Sequence, residues 1–305
     1  MSREPALDLG LVVAAHGRHV MVETPEGRRL LCHPRGKKSQ LVVGDRVRWM
    51  PLGGASDAEG VIEQVEPRRN LLFRQDEWKT KSFAANIDQL LVLVASEPVF
   101  GESQLARALI AAEDAGIPAL IGFNKTDLPA AAAARERLAP YAAMGVPVVE
   151  LSLKGDLAAS LARLAPLLAG RTTLVLGPSG SGKSTLVNAV VPRADAQVGE
   201  ISKALKAGRH TTTATRLYWL YEARSAALLD SPGFQEFGLR QLEATALAGL
   251  MPDLRAQLGG CRFVNCTHRK EPSCAVQAAV ARGEISASRY RLYGEIHEEL
   301  SRRAW

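Results

Sequence analysis

The chain has 305 residues, of which 47% are hydrophobic and 23% charged. This composition excludes an intrinsically disordered chain, and no apolar run reaches the roughly 18 residues that span a membrane. The net charge of +6 comes from the two ends: residues 1–85 hold 14 basic and 11 acidic residues, 86–244 hold 15 of each, and 245–305 hold 9 and 6. The basic ends indicate either a polyanionic partner or ordinary variation in surface charge.

The length predicts two or three domains of roughly 100–200 residues each. The first residues show no basic stretch followed by an apolar one, so we expect no secretory signal and a cytoplasmic protein. We also expect a monomer.

The first seventy residues contain short segments rich in Val and Leu, separated by glycines and charged turns. Five such segments at this spacing predict a small β-barrel of the oligonucleotide-binding type, the OB-fold. The predicted strands are 9–15, 19–24, 28–33, 45–50 and 60–65. Arg35, Lys37 and Lys38 lie in one loop of this barrel, which either contacts a polyanion or is merely solvated.

Residues 74–85 are charged and lack periodicity, so we interpret them as a connector. Strands and helices alternate after them, which predicts a largely parallel sheet covered by helices on both faces. The predicted strands are 89–95, 119–123, 146–151, 172–176, 217–220 and 226–229, and the first predicted helix is 102–115. The last sixty residues are predicted to be helical, with an interruption at a cluster of cysteines.

A glycine-rich segment follows the predicted strand 172–176 and opens a helix. Its residues are Gly177, Pro178, Ser179, Gly180, Ser181, Gly182, Lys183 and Ser184, followed by Thr185. This spacing is that of a phosphate-binding P-loop, in which backbone N–H groups surround the phosphates. Lys183 is expected to contact the β- and γ-phosphates, and the Ser184 hydroxyl to bind Mg²⁺. We therefore predict a nucleotide site.

Two short segments before the P-loop match loops that bind a nucleotide base. Asn124, Lys125, Thr126 and Asp127 fit N-K-x-D, in which the aspartate accepts hydrogen bonds from guanine N1–H and its exocyclic amine. Adenine lacks both donors and would leave the carboxylate unpaired. Ser152, Leu153 and Lys154 follow the next predicted strand and resemble the S-A-K loop of GTPases.

The remaining GTPase segments follow the P-loop. Asp230 and Gly233 fit D-x-x-G, with the carboxylate at Mg²⁺ through water and the glycine N–H near the γ-phosphate. Among the threonines at 211–213, we expect Thr212 to bind Mg²⁺. The base loops thus precede the phosphate loop, which predicts a circularly permuted GTPase.

The position after D-x-x-G often carries a glutamine that orients the attacking water, but here it is Phe234. Intrinsic hydrolysis is therefore expected to be slow unless another group acts. His210 is the candidate catalytic residue; alternatively, it contacts a partner or packs the segment around it.

Cys261, Cys266, His268 and Cys274 fall within fourteen residues. Three thiolates and one imidazole form a closed tetrahedral set, which predicts one structural zinc ion per chain rather than a catalytic one. The alternative is that the cysteines are small core residues.

With these segments in place, the sequence resembles the ribosome small-subunit-dependent GTPase A family, across nearly the whole chain. The resemblance depends on the permuted motifs, the segments 85–89, 208–213 and 230–234, and the cysteine segment. It implies an OB-fold barrel over 1–74, a permuted α/β GTPase domain over 75–242 and a helical zinc domain over 243–305. It further implies late maturation of the small ribosomal subunit, rRNA binding, GTP hydrolysis stimulated by that subunit, and a catalytic role for His210.

Two other functions stay open from the motifs alone: a P-loop ATPase or kinase with a zinc module, and a zinc-stabilised RNA-binding protein whose nucleotide site is structural.

Overall fold

The computed structural model describes residues 7–16, 19–36, 40–52, 59–75, 80–191, 215–221, 223–231 and 239–302. Its strands are β1 (Asp8–His16), β2 (His19–Glu23), β3 (Arg29–Pro34), β4 (Arg46–Pro51), β5 (Glu59–Val65), β6 (Leu71–Gln75), β7 (Thr80–Ala85), β8 (Gln89–Ala95), β9 (Ala119–Asn124), β10 (Val148–Glu150), β11 (Thr172–Leu176), β12 (Arg216–Trp219) and β13 (Ala227–Asp230). Its helices are α1 (Glu102–Asp114), α2 (Ala131–Ala143), α3 (Leu157–Leu168), α4 (Lys183–Val190), a 3-10 helix (Ala244–Leu250), α5 (Pro252–Arg255), α6 (Ala275–Ala281) and α7 (Ala287–Ser301). Across these ranges, none of the helices combines the length and apolarity that a bilayer crossing requires.

The first five strands close into a barrel, as the sequence predicts. They pair in the order β1-β2-β3-β5-β4, and β4 pairs back onto β1. Only the β3–β5 pair of this barrel is parallel among the described pairings. Alternate residues such as Val12, Val22, Val47 and Trp49 point into a shared apolar core, which is why period-2 patterning identifies these strands.

The prediction that residues 74–85 form a connector is wrong. Strands β6 and β7 pair as an antiparallel hairpin that forms its own two-stranded sheet. Leu72, Phe83 and Ala84 of this hairpin are buried in the main core. The charged residues between these apolar positions conceal the alternation in the sequence, so the segment resembles a linker.

A second set of strands builds the central sheet in the order β10-β9-β8-β11-β13-β12. The first five of these are parallel, and β12 runs antiparallel to β13. Every residue of β8 is buried: Leu90 and Val92 pack in one apolar cluster, and Leu91 and Leu93 in the other. The predicted parallel sheet with both faces covered is therefore confirmed.

The barrel is joined to the central sheet by hydrogen bonds. Strand β1 pairs with β12 at Ala14 and Arg216, so the two sheets are continuous. Beside this pairing, the Nε1–H of Trp219 donates to the buried carboxylate of Glu23 on β2, at 2.6 Å. The barrel is thereby attached to β12 of the central sheet.

The C-terminal helices pack against α1 and α2. Arg107 and Glu113 of α1 form ion pairs with Glu299 and Arg255 of the C-terminal segment. A buried pair, Arg289 with Asp253, lies 2.9 Å apart at this contact, and the Arg289 guanidinium stacks over the ring of Tyr141 on α2, 5.2 Å from its centroid. The domain limits at 74/75 and 242/243 stay a prediction.

Candidate nucleotide-binding and metal sites

The P-loop lies between β11 and α4, at the carboxyl edge of the parallel sheet where α/β proteins bind ligands. Its backbone depends on glycine at two places. Gly182, the N-cap of α4, has a φ of 99°, a value that other L-residues rarely adopt. A Cβ on Gly177 would lie 2.6 Å from the carbonyl oxygen of Leu93. The loop therefore packs directly on β8 and directs the start of α4 towards the sheet edge.

Lys183 and Asp230 meet at this edge. They come from α4 and from the end of β13, and Asp230 lies in register with Val175 of β11. The Lys183 Nζ donates to Asp230 Oδ1, and both side chains are largely buried. The cation assigned to phosphate and the carboxylate assigned to Mg²⁺ are therefore neighbours in space, although 47 positions separate them.

Asn124 connects the three nucleotide loops. Its side-chain Nδ2–H donates to the carbonyl of Ser181 in the P-loop at 2.9 Å, and its Oδ1 accepts from the backbone N–H of Leu153 at 3.1 Å. The side chain is 3% exposed. One buried amide thus holds the P-loop and the Ser152 loop against the end of β9, which makes the three segments a single site.

Asp127 lies exposed at the mouth of this site. Its Oδ1 accepts a hydrogen bond of 2.5 Å from the Ser152 hydroxyl, and this bond is the main reason that the pKa of Asp127 is lowered. Gly155 leaves room for the pair, since a Cβ there would lie 2.6 Å from Ser152 Oγ. The aspartate is therefore ionised at neutral pH and keeps lone pairs to accept further N–H donors.

Lys125 and Thr126 form the turn between Asn124 and Asp127. Lys125 has a positive φ of 61°, and its Nζ donates to the carbonyl of Glu97 at 2.6 Å. Thr126 donates to the carbonyl of Leu151 through both its N–H and its hydroxyl. The base loop is therefore bound to the strands on both sides of β9.

Sequence analysis does not single out Ser96 and Glu97, the residues that follow β8. The Ser96 hydroxyl donates to the carbonyl of Lys125 at 2.8 Å. Their position at the carboxyl end of a buried parallel strand was the available signal, because every other loop of the site occupies such an end.

Three predicted site residues, His210, Thr212 and Gly233, lie outside the described residues. The segments that flank them are described: Thr215 and Ser231 are buried beside each other, with their hydroxyls 3.4 Å apart. Strand β12 begins immediately after Thr215, and Asp230 ends β13.

The four cysteine and histidine ligands converge. The Sγ atoms of Cys261, Cys266 and Cys274 and a ring nitrogen of His268 all lie within 4.8 Å of one another. His268 Nδ1 lies 3.5 Å from the sulfurs of Cys261 and of Cys274, and those two sulfurs are 3.9 Å apart. Burial lowers the pKa of His268, which favours the neutral imidazole that binds metal. This cluster could hold a metal ion.

A ring of hydrogen bonds fixes the loop that carries His268. Glu271 accepts from the N–H and hydroxyl of Thr267 and from two further backbone N–H groups, which lowers its pKa. The hydroxyls of Tyr290 and Tyr293 on α7 donate to the carbonyls of His268 and Thr267, each at 2.7 Å. The ligand loop is therefore attached to the last helix of the fold.

Comparison with known proteins gives one family. The family model described as RsgA GTPase matches residues 65–240. A Variovorax paradoxus protein named small ribosomal subunit biogenesis GTPase RsgA is 59% identical over 297 residues, covering 96% of this chain and 92% of that protein. The Bordetella pertussis protein of the same name is 53% identical over 291 residues, covering 95% of each.

Two solved structures share the fold. The crystal structure of YjeQ from Thermotoga maritima superposes with a TM-score of 0.75 at 31% identity, covering 97% of this chain and 99% of that one. YloQ, described as a circularly permuted GTPase, gives a TM-score of 0.72 at 26% identity, covering 100% and 99%.

Proposed function

This chain belongs to the RsgA GTPase family, and we propose that it hydrolyses GTP to GDP and phosphate while assisting late maturation of the small ribosomal subunit. The observation that carries the proposal is the Asn124 bridge. It brings two base loops and a phosphate loop into one site in the permuted chain order. The relatives' shared name supports the ribosomal partner.

Guanine recognition is assigned to the loops at the ends of β9 and β10. The ionised Asp127 would accept guanine N1–H and the exocyclic amine, with Ser152 holding its carboxylate in place. The Lys125 stem would pack along the base, while Thr126, Leu153 and Lys154 complete the loops. An adenine would leave the carboxylate without donors, which disfavours ATP.

Phosphate binding is assigned to the loop from Gly177 to Thr185 and to Gly233. Backbone N–H groups at the start of α4 would face the phosphate oxygens, and Lys183 would add a positive charge. Ser184, Thr212 and Asp230 would hold Mg²⁺, an ion that neutralises phosphate charge when it is bound. The proximity of Lys183 and Asp230 supports this arrangement.

Water activation is assigned to His210. Phe234 occupies the position after D-x-x-G and offers no hydrogen bond to water, so His210 is the best internal candidate to orient or deprotonate that water. We propose that the small subunit accelerates hydrolysis by positioning His210 beside the attacking water.

Zinc is the ion that the cysteine cluster fits. Tetrahedral zinc with bonds of about 2.3 Å to sulfur and about 2.0–2.1 Å to nitrogen places sulfurs about 3.8 Å apart and sulfur and nitrogen about 3.5 Å apart. The observed separations of 3.9 Å and 3.5 Å agree. With four protein ligands, no coordination position is left for water, which favours a structural role.

We further propose that rRNA binds through the barrel and the C-terminal domain. The loop between the first two ligands is exposed there, at Arg262, Phe263 and Val264. The Arg262 guanidinium lies over the Phe263 ring, 5.6 Å from its centroid. A cation on an aromatic ring is a surface on which an unpaired base stacks. The protein is proposed to act as a monomer in the cytoplasm.

Competition between nucleotides tests the guanine assignment. Unlabelled GTP and ATP should be titrated against a fluorescent GDP bound to the full chain. We expect ATP to compete roughly 10³-fold less well than GTP or worse, because Asp127 rejects adenine. Equal competition by ATP would contradict guanine specificity and favour the ATPase or kinase alternative.

A further inference from the structure

The loop between β8 and α1 forms part of the nucleotide site. Ser96 is 2% exposed, and its backbone N–H donates to the carbonyl of Asn124 at 3.1 Å. Its hydroxyl donates to the carbonyl of the next residue, Lys125, at 2.8 Å. Consecutive carbonyls of the base loop are thus both bound by the residue that directly follows the neighbouring strand β8.

These bonds hold a backbone conformation that is unfavourable for lysine. Lys125 has a φ of 61°, in the left-handed region that L-residues with long side chains seldom occupy. The hydrogen bond from Ser96 fixes the peptide group that follows this φ. Without it, the turn from Asn124 to Asp127 is free to relax towards the commoner conformations.

The same loop also fixes the far end of the Lys125 side chain. Lys125 Nζ donates to the carbonyl of Glu97 at 2.6 Å, so the side chain is held at its backbone and at its tip. Pro98 continues the loop onto the P-loop, where a Cβ on Gly180 would lie 2.9 Å from Pro98 Cδ. Residues 96–98 therefore contact both the base loop and the phosphate loop.

We propose that Ser96 is a positioning residue for guanine recognition. It holds Lys125 in its left-handed conformation, so that the lysine stem and Asp127 are arranged for the base before the nucleotide arrives. Preorganisation of this kind raises affinity because less ordering is needed on binding. This inference rests on the proposed binding of GTP.

The variant Ser96→Ala removes the hydroxyl that binds the Lys125 carbonyl and keeps the backbone N–H that binds the Asn124 carbonyl. We expect its dissociation constant for GDP to rise about five- to tenfold, the range for one lost hydrogen bond. Ser96→Thr keeps the hydroxyl and should bind GDP within about twofold of the wild type. Ser103→Ala, a half-buried serine on the first turn of α1, is the matched control and should bind GDP normally.

Magnesium tripolyphosphate separates positioning from general damage, because it has no base and engages only the phosphate loop. Isothermal titration of full-length proteins should show unchanged tripolyphosphate affinity in Ser96→Ala and weakened GDP affinity. Should the alanine variant not fold, Ser96→Cys tests the same bond with a weak donor of similar size, and we expect weakened GDP binding there too.

Two results would overturn the proposal: GDP affinity unchanged in the folded Ser96 variant, or equal losses for GDP and tripolyphosphate. Failure of the wild-type protein to bind GDP would instead contradict the proposed function itself, so the two failures are distinguishable.

Discussion

At the scale of single residues, some functional and structural groups can be predicted from the sequence and others cannot. Asp127, Lys183 and the cysteine ligands belong to short motifs whose spacing is set by chemistry, so sequence alone identifies them. Ser96 acts on Lys125, 29 positions away, and Glu23 binds Trp219, 196 positions away. No local sequence pattern predicts such pairs, because the two residues come together only when the strands assemble into sheets.

Replacement of His210 tests the proposed activation of water. We expect His210→Ala to lower GTP turnover about 100-fold or more, the usual loss when a general base is removed. The dissociation constant for GTP should change little, since the imidazole is assigned to the attacking water and not to the nucleotide. Stopped-flow binding and phosphate release measure the two effects separately.

The control for this variant is His297→Ala, which alters a half-buried histidine on α7. It should retain wild-type turnover. Intact turnover in His210→Ala would remove this residue from the catalytic role.

At the scale of elements, two sequence patterns suffice to place the barrel and the parallel sheet. They are the alternation of apolar and polar residues along a strand and the alternation of strands with helices. They fail at β6 and β7, where charged residues interrupt the apolar positions that the hairpin buries. These patterns also fail to indicate how α7 contacts α2. Arg289 shows why: it is an ordinary helical arginine in sequence, yet only 3% of its side chain is exposed, because it pairs with Asp253 and Tyr141 of α2 covers it.

This buried pair provides a test of how the C-terminal helices pack together, because Asp253 lies on α5 and Arg289 on α7. Arg289→Met leaves the Asp253 carboxylate buried without its partner, so we expect a loss of about 3–5 kcal/mol in the free energy of unfolding. The double variant Arg289→Met/Asp253→Leu removes both charges and should lose less. Urea denaturation followed by circular dichroism measures each.

Arg282→Met serves as the comparison, since the Arg282–Glu284 pair is exposed on both sides. It should cost less than about 1 kcal/mol. Equal losses at the buried and exposed pairs would show that the Arg289 contact does not stabilise the packing of the C-terminal helices.

The metal cluster is a second element whose role can be measured. We expect atomic emission spectroscopy to find one zinc per purified chain, and Cys266→Ser to lose it together with several degrees of melting temperature. Cys32→Ala is the matched control. Cys32 lies in the barrel core, where burial raises its pKa to about 12, so this variant should retain the metal. Full zinc content in Cys266→Ser would argue against the assigned ligand set.

At the scale of the whole molecule, the net charge of each stretch of chain follows the part of the fold that the stretch forms. The electrically neutral stretch 86–244 contains the central sheet and its nucleotide loops, whereas the basic stretches contain the barrel and the C-terminal helices. Each flank carries an excess of only three positive charges. Electrostatic attraction alone therefore gives only weak, salt-sensitive binding to a polyanion such as rRNA. Shape and nucleotide state therefore have to contribute to selection of the ribosomal partner.

Turnover of GTP in the presence of purified small ribosomal subunits tests the central claim most directly, because it examines the enzyme and its partner together. We expect slow hydrolysis by the chain alone, an acceleration of about 100-fold or more with small subunits, and no comparable acceleration with large subunits. Hydrolysis that stays at background with small subunits present would contradict the account and favour an RNA-binding protein with a structural nucleotide.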